Sequence, residues 1–234
     1  MNISDYTFVS YNGGSAGDLF VTSCNGIELV KMTGISVPTQ YSLKEYERSI
    51  YENDLTVEQA ISSLPKPPNG FVSTHLYEQI IAINQKMVNI VITDPLVQDL
   101  VVLRQMKIQR LAIKVNPNES WYNIVKTLCL NEKYNKAAAY WFEQSKRVWM
   151  QDMNKRVSNI YGKNLNFNSL FTEKFTDSLI QQGWETNTDI LRSNHKQWIK
   201  KNSKFNKDET LDSIAKKLST MNWNSSSGYV DFVA

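Results

Sequence analysis

The sequence predicts an α/β fold with a mostly parallel sheet, because short β-prone segments alternate with helical patterns along its first half. Thr7–Tyr11, Phe71–His75 and Val88–Thr93 are rich in apolar and β-branched residues, which is typical of buried strands. A helical pattern follows each of them, and strands that alternate with helices form parallel βαβ units. We therefore expect the carboxyl ends of these strands at one edge of the sheet, where α/β proteins bind ligands.

Helices are predicted from apolar spacing and from residues that cap helix ends. A helical pattern follows the first strand and runs through Leu29. Thr56 is placed to cap a short helix, and Asp94 and Pro95 are placed as the cap and first residue of the helix after the third strand. Residues 34–54 are polar and Tyr-rich and show no clear period. The C-terminal half is mainly helical: a short strand is expected near 165–167, a flexible tail over 223–234, and further helices over 76–86, 121–130, 137–156, 169–182, 188–202 and 208–221.

Size and charge limit the class of protein. A chain of 234 residues with 41% hydrophobic and 11% aromatic residues suits one packed domain. The net charge of +3 and the scarcity of Arg relative to Lys do not predict a nucleic-acid partner. The chain opens with no signal-peptide pattern and has no apolar run of bilayer length, so we expect a soluble cytoplasmic protein without a membrane partner.

The cysteines and the helical aromatic residues are expected in the core. Cys24 and Cys129 lie in apolar helical patterns far apart in sequence, with neither metal-ligand spacing nor a disulfide framework. We expect two buried, reduced thiols and no metal site. The group Trp141, Phe142, Trp149 and Met150 has helical spacing, and we interpret it as core rather than as a cofactor site.

The loop after the first strand is the clearest candidate binding site. Gly13, Gly14 and Gly17 let backbone N–H groups approach an anion, and the following helix adds its own N–H groups. The same pattern is typical of a tight strand-to-helix turn that binds nothing, and the loop alone does not decide between the two. Asp18 and Leu19 stand where an ATP-binding loop has Lys and a hydroxyl residue, and the spacing differs from G-x-G-x-x-G, so an ordinary ATPase, kinase or dinucleotide site is not predicted.

His75 and Asp18 are the side chains near these strand ends that suggest chemistry. Imidazole titrates near neutral pH, which suits His75 to act as a general base toward an acceptor hydroxyl or amine. The alternative is a structural histidine that is hydrogen-bonded to backbone. Asp18 would repel a phosphate unless it points away or caps the helix, and it could instead bind a cation or a substrate hydroxyl. His195 lies among polar residues of a predicted helix and is expected at the surface.

In order and spacing, these elements resemble those of the sulfotransferase family. That family's first strand ends in a Pro-Lys/Arg-Ser-Gly-Thr-Thr loop, where this chain has Asn-Gly-Gly-Ser-Ala-Gly-Asp at 12–18. Ser-Thr-His-Leu-Tyr at 73–77 is similar to the family's Lys-Thr-His-Leu-Pro motif, and Thr-Asp-Pro at 93–95 is similar to its Arg-Asn/Asp-Pro pattern. A later Tyr-Glu-Asp-Leu junction of the family resembles residues 165–171.

The resemblance implies a single domain with a P-loop-like, three-layer α/β fold. Residues 1–115 would form the nucleotide-binding βαβ core, residues 116–222 a helical part, and residues 223–234 the tail. It also implies that the cofactor is PAPS (3′-phosphoadenosine 5′-phosphosulfate) and that His75 is the catalytic base.

The resemblance further implies which residues hold PAPS. The loop lacks the family's Lys or Arg, Thr93 stands in place of the Arg on the third strand, and the position of the 3′-phosphate Ser falls near Val101. Arg104 or Lys107, one turn further on, would then supply positive charge. The implied cofactor-binding residues are Gly13, Gly14, Ser15, Ala16, Gly17, Asp18, Thr93 and Arg104.

Two functions of different classes follow from these patterns. The first is transfer of a sulfuryl group from PAPS to a hydroxyl or amine of a small molecule or glycan. The second is a non-enzymatic scaffold, an interaction or virion protein of a phage or virus, which the Lys- and Asn-rich composition of an AT-rich genome fits. The aromatic, Lys-rich helices of 121–149 would then contact a protein partner. A nucleotide kinase is disfavoured because the loop lacks its Lys.

Overall fold

A four-stranded parallel sheet organises the chain, as a computed structural model shows. Its strands are β1 (Thr7–Ser10), β2 (Phe71–Thr74), β3 (Met87–Val91) and β4 (Lys163–Asn166), in the order β2-β1-β3-β4. The predicted α/β class and the parallel arrangement of the first three strands are therefore confirmed. The structure describes residues 3–29, 40–83, 86–102, 105, 134–158, 162–202, 221–223 and 230–232.

Helices pack on both faces of this sheet. Short 3₁₀ helices span Ile3–Asp5 and Leu43–Tyr46, and an antiparallel pair, β5 (Met221–Trp223) and β6 (Val230–Phe232), lies outside the main sheet. The α-helices are α1 (Gly17–Cys24), α2 (Glu47–Tyr51), α3 (Val57–Ser63), α4 (Tyr77–Ile81), α5 (95–102), α6 (Tyr134–Val157), α7 (Phe175–Gln181) and α8 (Thr188–Asn202).

The order of the strands reverses at β1. Strand β2 lies next to β1 at one edge of the sheet, and the chain then returns to form β3 on the opposite flank of β1. In parallel α/β sheets, such a reversal of strand order opens a crevice outside the carboxyl ends of the strands. Ser10 pairs with Thr74 at the end of β2, so the residues that follow β1 and β2 begin side by side.

The core consists of two hydrophobic clusters that the sheet separates. Successive strand residues point to opposite faces, so Phe8 packs in one cluster while Val9 packs in the other. The cluster of Phe8 includes Leu43 and residues of α2, α3 and α4. The cluster of Val9 includes Phe20 and residues of α1, α5, α6, α7 and α8.

Two of the predicted helix starts are confirmed in atomic detail. The Thr56 hydroxyl accepts from the Gln59 N–H at 3.2 Å, and the Gln59 side chain accepts from the Thr56 N–H at 2.8 Å, which forms a capping box. The Asp94 carboxylate accepts from the N–H of Leu96 at 2.9 Å at the start of α5. These local signals need no tertiary information, which is why the sequence alone reveals them.

Several helix ends differ from the prediction. Helix α1 ends at Cys24 and not near Leu29, because Gly26 turns the chain with a φ of +76° and Asn25 hydrogen-bonds to both backbone groups of Phe71. Helix α4 ends at Ile81, and α7 begins at Phe175 after a series of turns. Residues 221–223 and 230–232 pair as strands where a helix end and a flexible tail were expected. The predicted helix over 121–130 and residues 208–220 of the last one lie outside the described residues.

Candidate functional site

The loop that joins β1 to α1 is a tight turn with two residues in the left-handed region. Gly14 has a φ of +88° and Ala16, the N-cap of α1, has a φ of +61°. The N–H of Ser15 donates to the carbonyl of Asn12 at 3.2 Å, and its hydroxyl donates to the same oxygen at 2.5 Å. A non-glycine residue such as Ala16 adopts this conformation only when its surroundings impose it.

Close contacts with the protein itself surround the first two glycines of the loop. A Cβ at Gly14 would lie 2.7 Å from the carbonyl oxygen of Val101, whereas one at Gly13 would lie 2.8 Å from the end of the Gln105 side chain, which can move. The Trp149 indole N–H donates to the Gly13 carbonyl at 3.1 Å, and the Asn12 side-chain amide donates to the Trp149 carbonyl at 2.7 Å. The positive φ and the backbone contact account for Gly14 without a ligand, and they place Val101 beside the loop.

Gly17 is required by the Tyr11 ring. A Cβ at Gly17 would lie 2.2 Å from that ring. Tyr11 is buried, and its hydroxyl donates to Asp18 at 2.6 Å. Burial, and then the negative charge of Asp18, raise the pKa of the Tyr11 hydroxyl well above its usual value, so Tyr11 remains a hydrogen-bond donor.

The Asp18 carboxylate binds a cation of the chain. Besides the Tyr11 hydroxyl, it accepts from the Ser73 hydroxyl at 2.8 Å and from the Lys44 ammonium at 2.5 Å. Lys44 arrives from the 3₁₀ helix that precedes α2, and its nitrogen lies 5.1 Å from the centre of the Tyr11 ring. The Asp18 carboxylate is therefore engaged by donors of the chain itself, and the roles that the sequence leaves open for it toward a ligand stay predictions.

His75 is held by a carboxylate that sequence reasoning missed. Glu47, the first residue of α2, accepts from the His75 backbone N–H at 2.9 Å and lies 3.3 Å from the His75 Nδ1. Burial acts to raise the pKa of Glu47, but the hydrogen bonds from His75 and the positive charges of His75 and Lys44 outweigh it, so the pKa lies below its usual value. An ionised carboxylate only accepts, so Nδ1 carries the proton.

With this proton on Nδ1, the neutral form of the imidazole has its lone pair on the second ring nitrogen, Nε2. Among the described residues no group hydrogen-bonds to the His75 Nε2, although the atom is buried. The ring centre lies 4.7 Å from that of Tyr11, whose own ring packs on Gly17. Tyr11 thus lies between His75 and the loop, and contacts both.

Arg156 is the second residue that sequence reasoning missed. It comes from α6 and is fully buried at the ends of β1 and β2. Its Nε donates to the Ser10 hydroxyl at 2.9 Å and its Nη2 donates to the His75 carbonyl at 3.2 Å, while its Nη1 donates to Asn12 and, at 2.8 Å, to the Asp152 carboxylate. Asp152 lies one helical turn away, but the partners at the strand ends lie 81 to 146 positions away, so no local pattern indicates them. With Arg156, the polar cluster at these strand ends comprises Tyr11, Asp18, Lys44, Glu47, Ser73 and His75.

Thr93 lies at the end of β3 and bonds toward β4. Its hydroxyl accepts from the side-chain Nδ2 of Asn166 at 3.0 Å and from that of Asn168 at 2.9 Å. The side-chain Oδ1 of Asn168 accepts from the backbone N–H of Thr93 and of Asp94. These contacts join the ends of β3 and β4. Arg104 and Lys107, the implied sources of positive charge near Thr93, lie outside the described residues.

The prediction of a surface His195 is wrong. Its side chain is buried, its Nε2 lies 2.7 Å from the Leu170 carbonyl oxygen, and its ring stacks on Trp198. Burial lowers the pKa of His195. The neighbouring Asn194 is also buried, and its side chain is satisfied there: its Oδ1 accepts from the N–H of Leu29, and its Nδ2 donates to the Ser23 hydroxyl.

The predicted core residues that fall in the described part of the chain are buried. Cys24 is fully buried, and burial raises the pKa of its thiol, as expected for an inert cysteine. Trp149 is buried and Met150 packs against the same core. Cys129 is not among the described residues, and the described side chains do not include those of Trp141 and Phe142.

Among the helices of the described residues, none is both long and apolar enough to cross a membrane. In the same part of the chain, no three His, Cys, Asp or Glu side chains are grouped so that they could hold a metal ion.

Comparison of the chain with protein-family models, with curated proteins and with solved structures finds no match, so the interpretation of the polar cluster rests on its own geometry.

Proposed function

We propose that this chain is a sulfotransferase-like transferase in which His75 is the general base. The observation that carries the proposal is the His75–Glu47 pair at the carboxyl end of β2. Glu47 fixes the proton on Nδ1, and Nε2 is left with a lone pair and no hydrogen-bond partner among the described residues. A base that is oriented by a carboxylate is the arrangement by which histidine takes protons in many enzymes.

Nε2 of His75 would take the proton of the acceptor hydroxyl or amine, once the bound acceptor has displaced the groups that bury this atom. PAPS, when bound, would supply the sulfuryl group, and the phosphate oxygen of PAP would be the leaving group that keeps the bonding electron pair. The imidazolium formed at His75 faces the Glu47 carboxylate, which stabilises its positive charge. Tyr11 packs edge-on against the imidazole and restricts its orientation.

Lys44 and the N-terminus of α1 are the groups suited to the anionic end of PAPS. The ammonium has three N–H donors, one of which goes to Asp18, and the Lys44 side chain is 30% exposed. It neutralises Asp18 in the first turn of α1, which removes the repulsion that Asp18 would exert on an anion. The positive end of the α1 dipole adds to the attraction. These residues fit the 5′ phosphosulfate.

Binding of PAP, the spent donor, tests the donor side of the proposal. At a hundredfold excess over its dissociation constant, a ligand stabilises the folded state by about 2.7 kcal/mol. For a chain of this size, that raises the melting temperature by roughly 5–10 °C. Lys44→Met should weaken PAP binding about tenfold or more, because a charge-assisted hydrogen bond contributes about 1.5–3 kcal/mol.

Arg48→Met is the matched control for Lys44→Met. Arg48 belongs to the neighbouring turn, its side chain is 86% exposed, and it pairs with Glu52 rather than with Asp18. PAP affinity should be unchanged in this variant. The donor side of the proposal is wrong if millimolar PAP leaves the melting temperature of the unmodified chain where it is.

A second candidate function is a scaffold without catalytic activity. It is supported by the way in which the chain covers its own loop: Val101 and Gln105 pack on the glycines, and Trp149 bonds to Gly13. Arg156, the cation nearest to the end of β1, directs all three of its nitrogens to acceptors of the chain. A chain that binds neither PAP nor PAPS, and that keeps its stability in His75→Ala, would fit this function.

The scaffold function would use the partner surface expected over residues 121–149. At the end of this stretch Trp149 is buried, while Val148 is 61% exposed. A partner would therefore contact α6 on the Val148 side rather than through Trp149. Val148→Asp should abolish binding of such a partner and leave the melting temperature unchanged.

A further inference from the structure

Three backbone and side-chain contacts fix the position of His75. Its N–H donates to Glu47 at 2.9 Å, and its carbonyl accepts from the Tyr77 N–H at 2.8 Å. The third contact is the bond from Arg156 Nη2 to the same carbonyl, at 3.2 Å. His75 lies just beyond the last residue of β2, so the strand ladder itself does not hold it.

Arg156 connects His75 to the loop after β1. The same guanidinium that binds the His75 carbonyl also binds the Ser10 hydroxyl and the Asn12 side chain, on either side of Tyr11. The planar guanidinium holds these donors in a rigid fork, so a shift of one partner displaces the others. Its Cζ lies 5.7 Å from the centre of the Tyr77 ring, and Asp152 balances its charge.

We infer that Arg156 is a positioning residue that fixes the His75 backbone, and through it the His75–Glu47 pair, against the loop after β1. The inference rests on the proposed function, because the proton acceptor that Arg156 positions is the Nε2 of His75. A lysine cannot replace it: an ammonium is a point charge that does not span Ser10, Asn12 and His75 together.

The two histidines of the chain make this inference measurable by nitrogen NMR. In the unmodified protein the geometry predicts that His75 is protonated on Nδ1, facing Glu47, and that His195 is protonated on Nε2, facing the Leu170 carbonyl. The two tautomers have distinct ring-nitrogen chemical shifts. Since the chain has only these two histidines, His195 reports in the same spectrum on whether the fold is intact.

The experiment compares Arg156→Lys and Arg156→Gln in the full chain with Arg192→Gln. Arg192 is a half-exposed arginine that pairs with Asp177 and Asp189, far from His75 in sequence. We expect both Arg156 variants to replace the single His75 tautomer by a mixture while the His195 signals stay unchanged, and Arg192→Gln to alter neither. In the Arg156 variants, turnover should fall roughly a hundredfold because the reacting imidazole is misplaced, and PAP affinity should stay unchanged.

Asp152→Ala covers the case in which the Arg156 variants do not fold. This substitution removes the carboxylate that accepts from Arg156 Nη1. Because the Asp152 side chain is 47% exposed, we expect the variant to fold. We expect a smaller population of the second His75 tautomer in this variant, and none in Asp177→Ala, the same change beside Arg192. Unchanged His75 signals in the folded Arg156 variants, or in Asp152→Ala where those do not fold, would overturn the inference.

Failure of this inference is distinguishable from failure of the proposed function. If the unmodified chain neither binds PAP nor transfers a sulfuryl group, the proposed function is wrong, yet the tautomer spectra still show whether Arg156 positions His75. If turnover is present and depends on His75 but not on Arg156, the function stands and the positioning role is wrong.

Discussion

Glu47→Gln is the sharpest perturbation of the proposed base, because it replaces one carboxylate oxygen by an amide and keeps the shape of the side chain. The amide can donate to His75 Nδ1, so the ring is no longer required to hold its proton there. In the other tautomer Nε2 carries the proton and cannot take one from an acceptor. We expect turnover to fall by about 10²–10⁴, the contribution of a positioned acid–base group.

PAP affinity is the quantity that Glu47→Gln should leave unchanged. Glu47 contacts His75 and lies near Lys44 but does not touch the loop, so PAP affinity should stay close to that of the unmodified chain. His75→Ala should give the same division, with turnover lost and PAP binding kept. Because the two residues act as a unit, the double variant should be no slower than His75→Ala alone.

The assay follows release of PAP from PAPS in the presence of phenol, sugar and amine acceptors. Glu45→Gln is the control, since Glu45 is an exposed neighbour in the preceding 3₁₀ helix. Two results would refute the reasoning: turnover of Glu47→Gln within twofold of normal while His75→Ala is inactive, or joint loss of stability, PAP binding and turnover in His75→Ala. The second result is that of a structural histidine.

Two further predictions concern stability. Gly17→Ala puts a methyl group 2.2 Å from the Tyr11 ring and should lower the free energy of unfolding by about 1–3 kcal/mol in urea titrations, whereas Gly13→Ala meets only the end of the Gln105 side chain and should cost less. Burial lowers the pKa of His195, so below about pH 6.5 the unfolded chain binds a proton that the folded chain does not. The urea midpoint should therefore fall on acidification from about pH 7 to pH 5, by less in His195→Gln; a rising midpoint contradicts this.

Local patterns were enough to predict the sheet and several helix starts. Strands β1, β2 and β3 bury nearly every residue, as parallel strands do, so their apolar runs stand out in the sequence, whereas β4 buries only Leu165 and begins two residues before the predicted 165–167. Thr56 and Asp94 cap their helices through residues two or three positions away. These features depend only on residues close together in the sequence, so they can be predicted without knowledge of distant contacts.

The residues that assemble around His75 could not be predicted in the same way. Helix α2 has only five residues and buries Ile50 alone, so it shows no period, yet it provides Glu47. Arg156 is the last-turn arginine of a long helix, a position where solvent-exposed basic residues are common. His195 looked like a surface residue because Arg192 and Lys196, which are exposed, flank it, but His195 and Asn194 lie on the buried side of the helix and bond to backbone groups of other segments.

The two histidines of this chain show what distinguishes a structural role from a chemical one. His195 directs its buried Nε2 to the Leu170 carbonyl, so its polar atom is satisfied by the fold. His75, whose side chain is partly exposed, has a buried Nε2 that no described residue satisfies, although Tyr11 and Arg156 lie within contact of the residue. An unsatisfied buried polar atom costs about 1–3 kcal/mol. The chain thus satisfies the Nε2 of one imidazole and holds the other imidazole through Glu47 and Arg156 with its Nε2 unpartnered among the described residues, which is the arrangement that the proposed general base requires.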